Sequence, residues 1–138
     1  MNEDLIKISP DKEKANSILK MVESSLEMIK SIDPIKFPSN LIKEYYDIIR
    51  ELISVILLLD GYKVIGEGAH KRLIDYLKQD YKEFSNYEIS VIDDFRVTRN
   101  KIAYDGFFVK VDYVERKRKD IENIINRLKG VIRRKLGL

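Results

Sequence analysis

The sequence predicts a single all-α domain over residues 1–138, an up-and-down bundle of four long helices and one short helix. A chain of this length fits one compact domain with its own core. Apolar residues recur at steps of three and four in long segments, which is the spacing of one helix face. Proline occurs only at or between the ends of these segments, and no stretch shows the alternation that indicates a strand.

The composition predicts a cytoplasmic protein that does not contact a membrane. Charged residues make up 36% of the chain and hydrophobic residues 44%, which excludes a disordered chain and a membrane protein. The most apolar segment, 52–59, is far shorter than the roughly 20 residues that span a bilayer. The chain has no cysteine, which excludes disulfides and cysteine-ligated zinc. The N-terminus has no signal-peptide pattern, and we predict neither a metal site nor a cofactor.

The first helix is predicted to begin at Ser9-Pro10-Asp11. Serine is a preferred N-cap, proline suits the first helical position, and an acid is favourable near the positive end of the helix dipole. An apolar stripe then continues to about Ile32. Asp33-Pro34 ends the helix, because a proline disfavours helical geometry in the residue before it.

The second helix is predicted to run from a cap at Ser39 or Asn40 to Gly61, which suits a left-handed C-cap. It is apolar on more than one side, so we interpret it as the central helix. Such a helix packs against several neighbours or into a subunit interface. Three apolar residues outside the main stripe favour the interface: Val55, Leu57 and Leu58.

The remaining chain is predicted to contain a loop and three helices. The glycine-rich loop 61–68 lacks the Gly-Lys-Ser/Thr ending of a phosphate-binding loop. The helices are expected at 69–79, 86–105 and 112–137, with Ser85 or Asn86 as the cap of the middle one. The last helix is basic, since residues 110–138 hold 10 basic and 4 acidic side chains. Such a face binds phosphates or only solvates the protein, and no helix-turn-helix spacing indicates DNA binding.

A polar row on the fourth helix is the candidate site. Arg96, Asn100 and Tyr104 are spaced four residues apart and share one face, while Arg99 lies between this row and the core stripe. Arginine and asparagine offer forked or paired hydrogen bonds that match phosphate groups. The competing interpretation is that both arginines pair with acids of the same chain, such as Asp93.

This helix resembles the signature helix of the HEPN superfamily, in which arginine and usually asparagine precede a histidine by a few residues. The matching run is Arg99-Asn100-Lys101-Ile102-Ala103. Segments 61–63 and 69–74 also resemble the loop and short helix of that family, so the resemblance covers nearly the whole chain. It implies a HEPN-like fold, a homodimer, a nucleotidyltransferase partner and a site for nucleotide or RNA phosphate. The residues implied for that site are Arg96, Arg99 and Asn100.

Tyr104 stands where the family has its histidine. Members that are metal-independent ribonucleases use the arginine to hold the scissile phosphate and the histidine in cleavage. Tyrosine is a poor base at neutral pH because its hydroxyl ionises near about pH 10, and His70 belongs to another helix. We therefore predict a homodimeric nucleotide- or RNA-binding module. The alternatives are a toxin–antitoxin endoribonuclease, with Arg99, Tyr104 and His70 as catalytic candidates, and a purely structural interaction module.

Overall fold

The computed structural model describes residues 4–138, which form five α-helices and a two-stranded sheet. The elements are β1 (Leu5–Lys7), α1 (Lys12–Ile29), α2 (Pro38–Asp60), β2 (Tyr62–Val64), α3 (Ala69–Asp80), α4 (Asn86–Asp105) and α5 (Val111–Leu136). The chain is mostly helical, as predicted. Within this part of the chain, none of the helices combines the length and apolar character that crossing a bilayer requires.

The central helix of the fold is α2, as its many-sided apolar pattern predicted. It contacts the other four helices and β2. Val55, Leu57 and Leu58 are 0%, 1% and 8% exposed in the folded chain. The prediction that these three residues form a subunit interface is therefore wrong, because the surrounding elements of the same chain already cover them.

A small antiparallel sheet joins the N-terminal segment to the segment after α2. Lys7 of β1 lies opposite Tyr62 of β2, so the predicted loop 61–68 is wrong for residues 62–64. Gly61 ends α2 with φ 86, a left-handed conformation as expected of a C-cap. Its carbonyl also accepts the backbone N–H of Ile8 at 2.9 Å, which holds the chain extended beyond β1.

The first helix is shorter than predicted at both ends. It begins at Lys12, and its N-cap is Asp11 rather than Ser9, because the preceding residues are held extended by the sheet. The carboxylate of Asp11 accepts a backbone N–H of the first turn at 2.9 Å. The helix ends at Ile29 rather than near Ile32, and short-range turns follow.

Ser39 has a different role from the one predicted. Helix α2 begins at Pro38 with Phe37 as its N-cap and no side-chain cap, so neither Ser39 nor Asn40 caps it. Instead, the hydroxyl of Ser39, which is 5% exposed, accepts the backbone N–H of Val109 at 2.8 Å. This bond attaches the link between α4 and α5 to the start of α2.

Candidate functional site

The polar row lies on α4, whose two ends follow their sequence signals. Ser85 caps the helix through a reciprocal capping box with Glu88, and Gly106 ends it with φ 66. Phe95 faces the core and is 1% exposed, whereas Tyr104 is 75% exposed. Within the polar row, Arg96 and Asn100 are half-buried and Tyr104 is exposed, so the row becomes more accessible towards the C-terminal end of α4.

Arg96 is engaged by an acid of its own helix. Its Nε donates to Oδ1 of Asp93 at 2.8 Å. The same oxygen lies 3.7 Å from Nζ of Lys71 on α3, and that ammonium also pairs with Asp75 at 3.5 Å. The competing interpretation of the sequence, an ion pair with Asp93, is confirmed for Arg96.

Arg99 lies between α4 and α2. Its Nε is 3.4 Å from Oδ1 of Asp47, yet both atoms are buried and neither has a hydrogen-bond partner among residues 4–138. A terminal nitrogen of Arg99 donates a long hydrogen bond, 3.5 Å, to the hydroxyl of Tyr104. The Arg99 side chain is 17% exposed. Arg99 thus has an ionic partner but retains hydrogen-bonding capacity that residues 4–138 leave unused.

Helix α3 brings His70, the single histidine of the chain, to the same place. The imidazole packs against the ring of Tyr46 on α2, with 6.1 Å between the ring centroids. Burial lowers the pKa of His70, and the positive charges of Arg50 and Arg99 lower it further against the opposing charge of Asp47. The imidazole is therefore neutral at neutral pH, in a field set mainly by arginines.

Sequence reasoning missed two α2 residues at this site, Tyr46 and Arg50. Tyr46 is 1% exposed, and burial raises the pKa of its hydroxyl to about 12. The buried Nε of Arg50 has no hydrogen-bond partner, and Arg50 forms no ion pair with any described residue. Neither position carries a local signal in the sequence. Only the packing of α3 and α4 on α2 brings them beside His70.

We call Arg50, Arg96, Arg99 and His70 the arginine cluster. Two carboxylates, of Asp47 and Asp93, pair with two of its three arginines. No family model, curated protein or solved structure matches this chain. The cluster's own chemistry is that of an anion site, because guanidinium groups present forked donors to phosphate or carboxylate oxygens. Among residues 4–138, no three His, Asp or Glu side chains are grouped so as to hold a metal ion.

The lowered pKa of His70 predicts how stability depends on pH. Below about pH 6.5, the ordinary value for histidine, the unfolded chain binds a proton that the folded protein binds less readily. We therefore expect the free energy of unfolding to fall as pH decreases from about 6.5, in a range where ordinary carboxyl groups stay ionised. Urea unfolding between about pH 5.5 and 7.5 measures this, and NMR titration of the one imidazole gives the pKa directly. An unchanged slope in His70→Gln would contradict this assignment.

Proposed function

We propose that the protein is a homodimeric cytoplasmic module that binds the phosphate of a nucleotide or RNA through Arg50, Arg96, Arg99 and Asn100. The supporting observation is that two arginines beside the neutral His70, Arg50 and Arg99, have buried Nε groups without hydrogen-bond partners in the described chain. Buried donors without partners are costly. A phosphate would supply the acceptors, and charge-assisted bonds to guanidinium groups are among the strongest in proteins.

The resemblance of Arg99-Asn100 to the HEPN motif supports the same function. On the basis of this resemblance, the proposal also includes a HEPN-like arrangement of the helices and a nucleotidyltransferase as partner. The ion pair between Arg99 and Asp47 then acts as an internal competitor, because a bound phosphate must displace the carboxylate or share the arginine with it. We infer that Asp47 limits the affinity for phosphate.

Exposed apolar side chains beside the polar row support the homodimer. Val97 and Tyr104 share one face of α4 and are 40% and 75% exposed. Phe107 and Phe108 continue this surface along the link to α5, at 48% and 81%. An apolar surface next to phosphate-binding groups suits a second protomer, which would complete the cleft and cover these side chains.

A second candidate function is a metal-independent endoribonuclease. The observation that favours it is the position of His70, a neutral imidazole in the same charge field as Arg99. A neutral imidazole accepts a proton at neutral pH, and an arginine stabilises the charge on a phosphate in the transition state. Tyr104 is less suited to proton abstraction, since a phenol is a weaker base than an imidazole and this side chain is largely exposed.

The test compares the binding of a fluorescent oligoribonucleotide to the wild type and to Asp47→Asn. The variant removes the competing charge beside Arg99, and we expect about fivefold tighter binding together with a loss of stability below about 1 kcal/mol. Asp94→Asn, the same change at an exposed position of α4, is the matched control and is expected to alter affinity less than twofold. A purely structural module would lose stability in Asp47→Asn and bind RNA in neither form.

The same samples distinguish the candidate functions. RNA that is bound but intact after incubation with EDTA supports the binding module. Shortened RNA that is no longer produced by His70→Ala supports the ribonuclease. A light-scattering mass of two chains is expected for the homodimer, and a folded wild type that binds no RNA or nucleotide contradicts both candidates.

A further inference from the structure

A cavity lined in part by His70 lies between α1, α2, β2 and α3. Its volume is about 280 Å³, near the lower limit of the roughly 300–1,000 Å³ typical of small-molecule sites. Apolar side chains from two of these helices, Leu57 and Leu58 of α2 and Leu73 of α3, form part of its wall, and Ile18 of α1 adds to it. Its size suits a small molecule and its wall suits an apolar group.

Four elements each contribute one cationic or basic side chain to the same cavity. These are Lys14 of α1, Arg50 of α2, Lys63 of β2 and His70 of α3. No carboxylate from residues 4–138 lines the cavity, and Arg50 has no ion pair within that range. Helix α3 also begins here, with Gly68 as its N-cap, and no side chain in the described part of the chain caps its first turn. The basic side chains are therefore unbalanced inside the cavity, which favours an anion.

We propose that this cavity binds a small organic anion with a short apolar body. The carboxylate or phosphate head group lies against Arg50, His70 and the two lysines, and the body lies against the leucines. Basic side chains alone would accept inorganic phosphate, and an apolar wall alone would accept a neutral molecule. The combination within one small cavity selects a ligand that has both parts.

This site adjoins the one proposed to bind RNA and shares Arg50 with it, but the α4 residues of that site lie outside the cavity. Arg96, Arg99 and Asn100 do not line the cavity. Arg50 and His70 lie between the two sites, so a ligand in the cavity acts on the electrostatics of both. The charged side chains around the imidazole come from each element packed against it: Asp47 and Arg50 of α2, Arg96 and Arg99 of α4, and, across the cavity, Lys14 and Lys63.

A bound anion is expected to be reported by the single histidine. Its negative charge offsets the arginine charges that disfavour the imidazolium ion, so binding raises the pKa of His70 from its lowered value. Because the chain has one histidine, the Cε1 proton of His70 gives an unambiguous NMR signal. Ligand binding and the change in protonation are therefore measured on the same resonance.

The probe is hexanoate, which is expected to shift this resonance saturably and to move its titration midpoint to higher pH. Hexylammonium has a similar apolar body with the opposite charge and is expected to leave the resonance unchanged. Acetate keeps the charge without the body and is expected to bind at least about tenfold more weakly. Hexyl phosphate has the same apolar body, so its affinity relative to hexanoate shows whether the site prefers a phosphate or a carboxylate head group. Equal effects of hexanoate and hexylammonium would overturn the proposal. So would the absence of any effect from both hexanoate and hexyl phosphate.

Charge reversal at the cavity rim locates the binding. Lys63→Glu and Lys14→Glu are each expected to weaken hexanoate binding by about tenfold. Lys20→Glu makes the same change at an exposed α1 position outside the cavity and is expected to have little effect. Arg99→Glu is expected to keep hexanoate binding while losing RNA, so the two proposals fail separately. Hexanoate binding unchanged by both Lys63→Glu and Lys14→Glu would place the probe elsewhere and overturn the assignment.

Discussion

Replacement of Asp60 by alanine is expected to lower the free energy of unfolding by about 3 kcal/mol. Asp60 is the last residue of α2, and its carboxylate accepts the hydroxyl hydrogens of Tyr76 at 2.7 Å and Tyr81 at 2.6 Å. It also pairs with the ammonium group of Lys135 near the end of α5. One carboxylate thus joins three helices and the residue after α3, and its removal leaves three polar groups without this partner.

The carboxylate of Asp60 is buried enough for its removal to lower the free energy of unfolding. The Asp60 side chain is 16% exposed and Tyr76 is 6% exposed. Burial raises the pKa of both Tyr76 and Tyr81, and the hydrogen bond to Asp60 raises it further, so both hydroxyls donate at neutral pH. Water replaces the lost acceptor poorly at such a position, which is why the expected cost exceeds that of a surface ion pair.

Urea unfolding followed by circular dichroism measures the effect of the Asp60 substitution. Asp80→Ala is the matched control, because Asp80 acts on the same tyrosines through charge but is exposed and accepts no hydrogen bond from them. Its expected change is below about 0.5 kcal/mol. Equal losses in Asp60→Ala and Asp80→Ala would show that the hydrogen-bond network stabilises the fold no more than a surface carboxylate does.

The Arg99→Glu variant is expected to bind an oligoribonucleotide at least about a hundredfold more weakly than the wild type. A hydrogen bond to a charged group contributes about 1.5–3 kcal/mol, and about 2.8 kcal/mol corresponds to a factor of a hundred. The substitution removes this contact and adds a negative charge beside Asp47, 3.4 Å from the native guanidinium. Phosphate then meets two carboxylates instead of an ion pair. Fluorescence anisotropy at constant salt measures the change.

Two further variants make the Arg99 result decisive. Arg99→Gln introduces no repulsion against Asp47 and is expected to stay folded and to lose about tenfold in affinity. Arg116→Glu makes the same charge reversal on the basic surface of α5 and is expected to weaken binding by no more than about threefold. Full affinity in Arg99→Gln contradicts the proposed site. An equal loss in Arg116→Glu would instead assign the binding to general basic charge.

The ends of α4 show how much of the fold was available from local signals. The cap at Ser85, its partner Glu88 and the left-handed Gly106 lie within a few residues of the bonds they form. A cap signal acts on the adjacent turn of the chain, so it can be interpreted without knowing the tertiary structure. The central position of α2 was predicted for a related reason, since a helix that is apolar on several sides needs several neighbours.

Features that depend on distant parts of the chain were not predictable in this way. Each strand has three residues, too few for an alternating pattern, and each exists because the other lies opposite it. The N-cap of α1 at Asp11 instead of Ser9 follows from that pairing. Ser39 likewise bonds to Val109, 70 residues away, instead of capping its own helix. In both cases a distant backbone group decided the outcome.

For the candidate site, the amino-acid pattern was enough to predict which side chains stand on α4 and that their donors suit phosphate. Residue type and helical spacing are enough for that. The packing of the helices placed Asp47 beside Arg99 and Arg50 beside His70. The pair of Arg96 with Asp93 lies within α4 and was one of the two interpretations of the sequence. Charges act across space with a strength that depends on distance and burial. Both quantities are set by how α2, α3 and α4 pack together, and no single helix contains them.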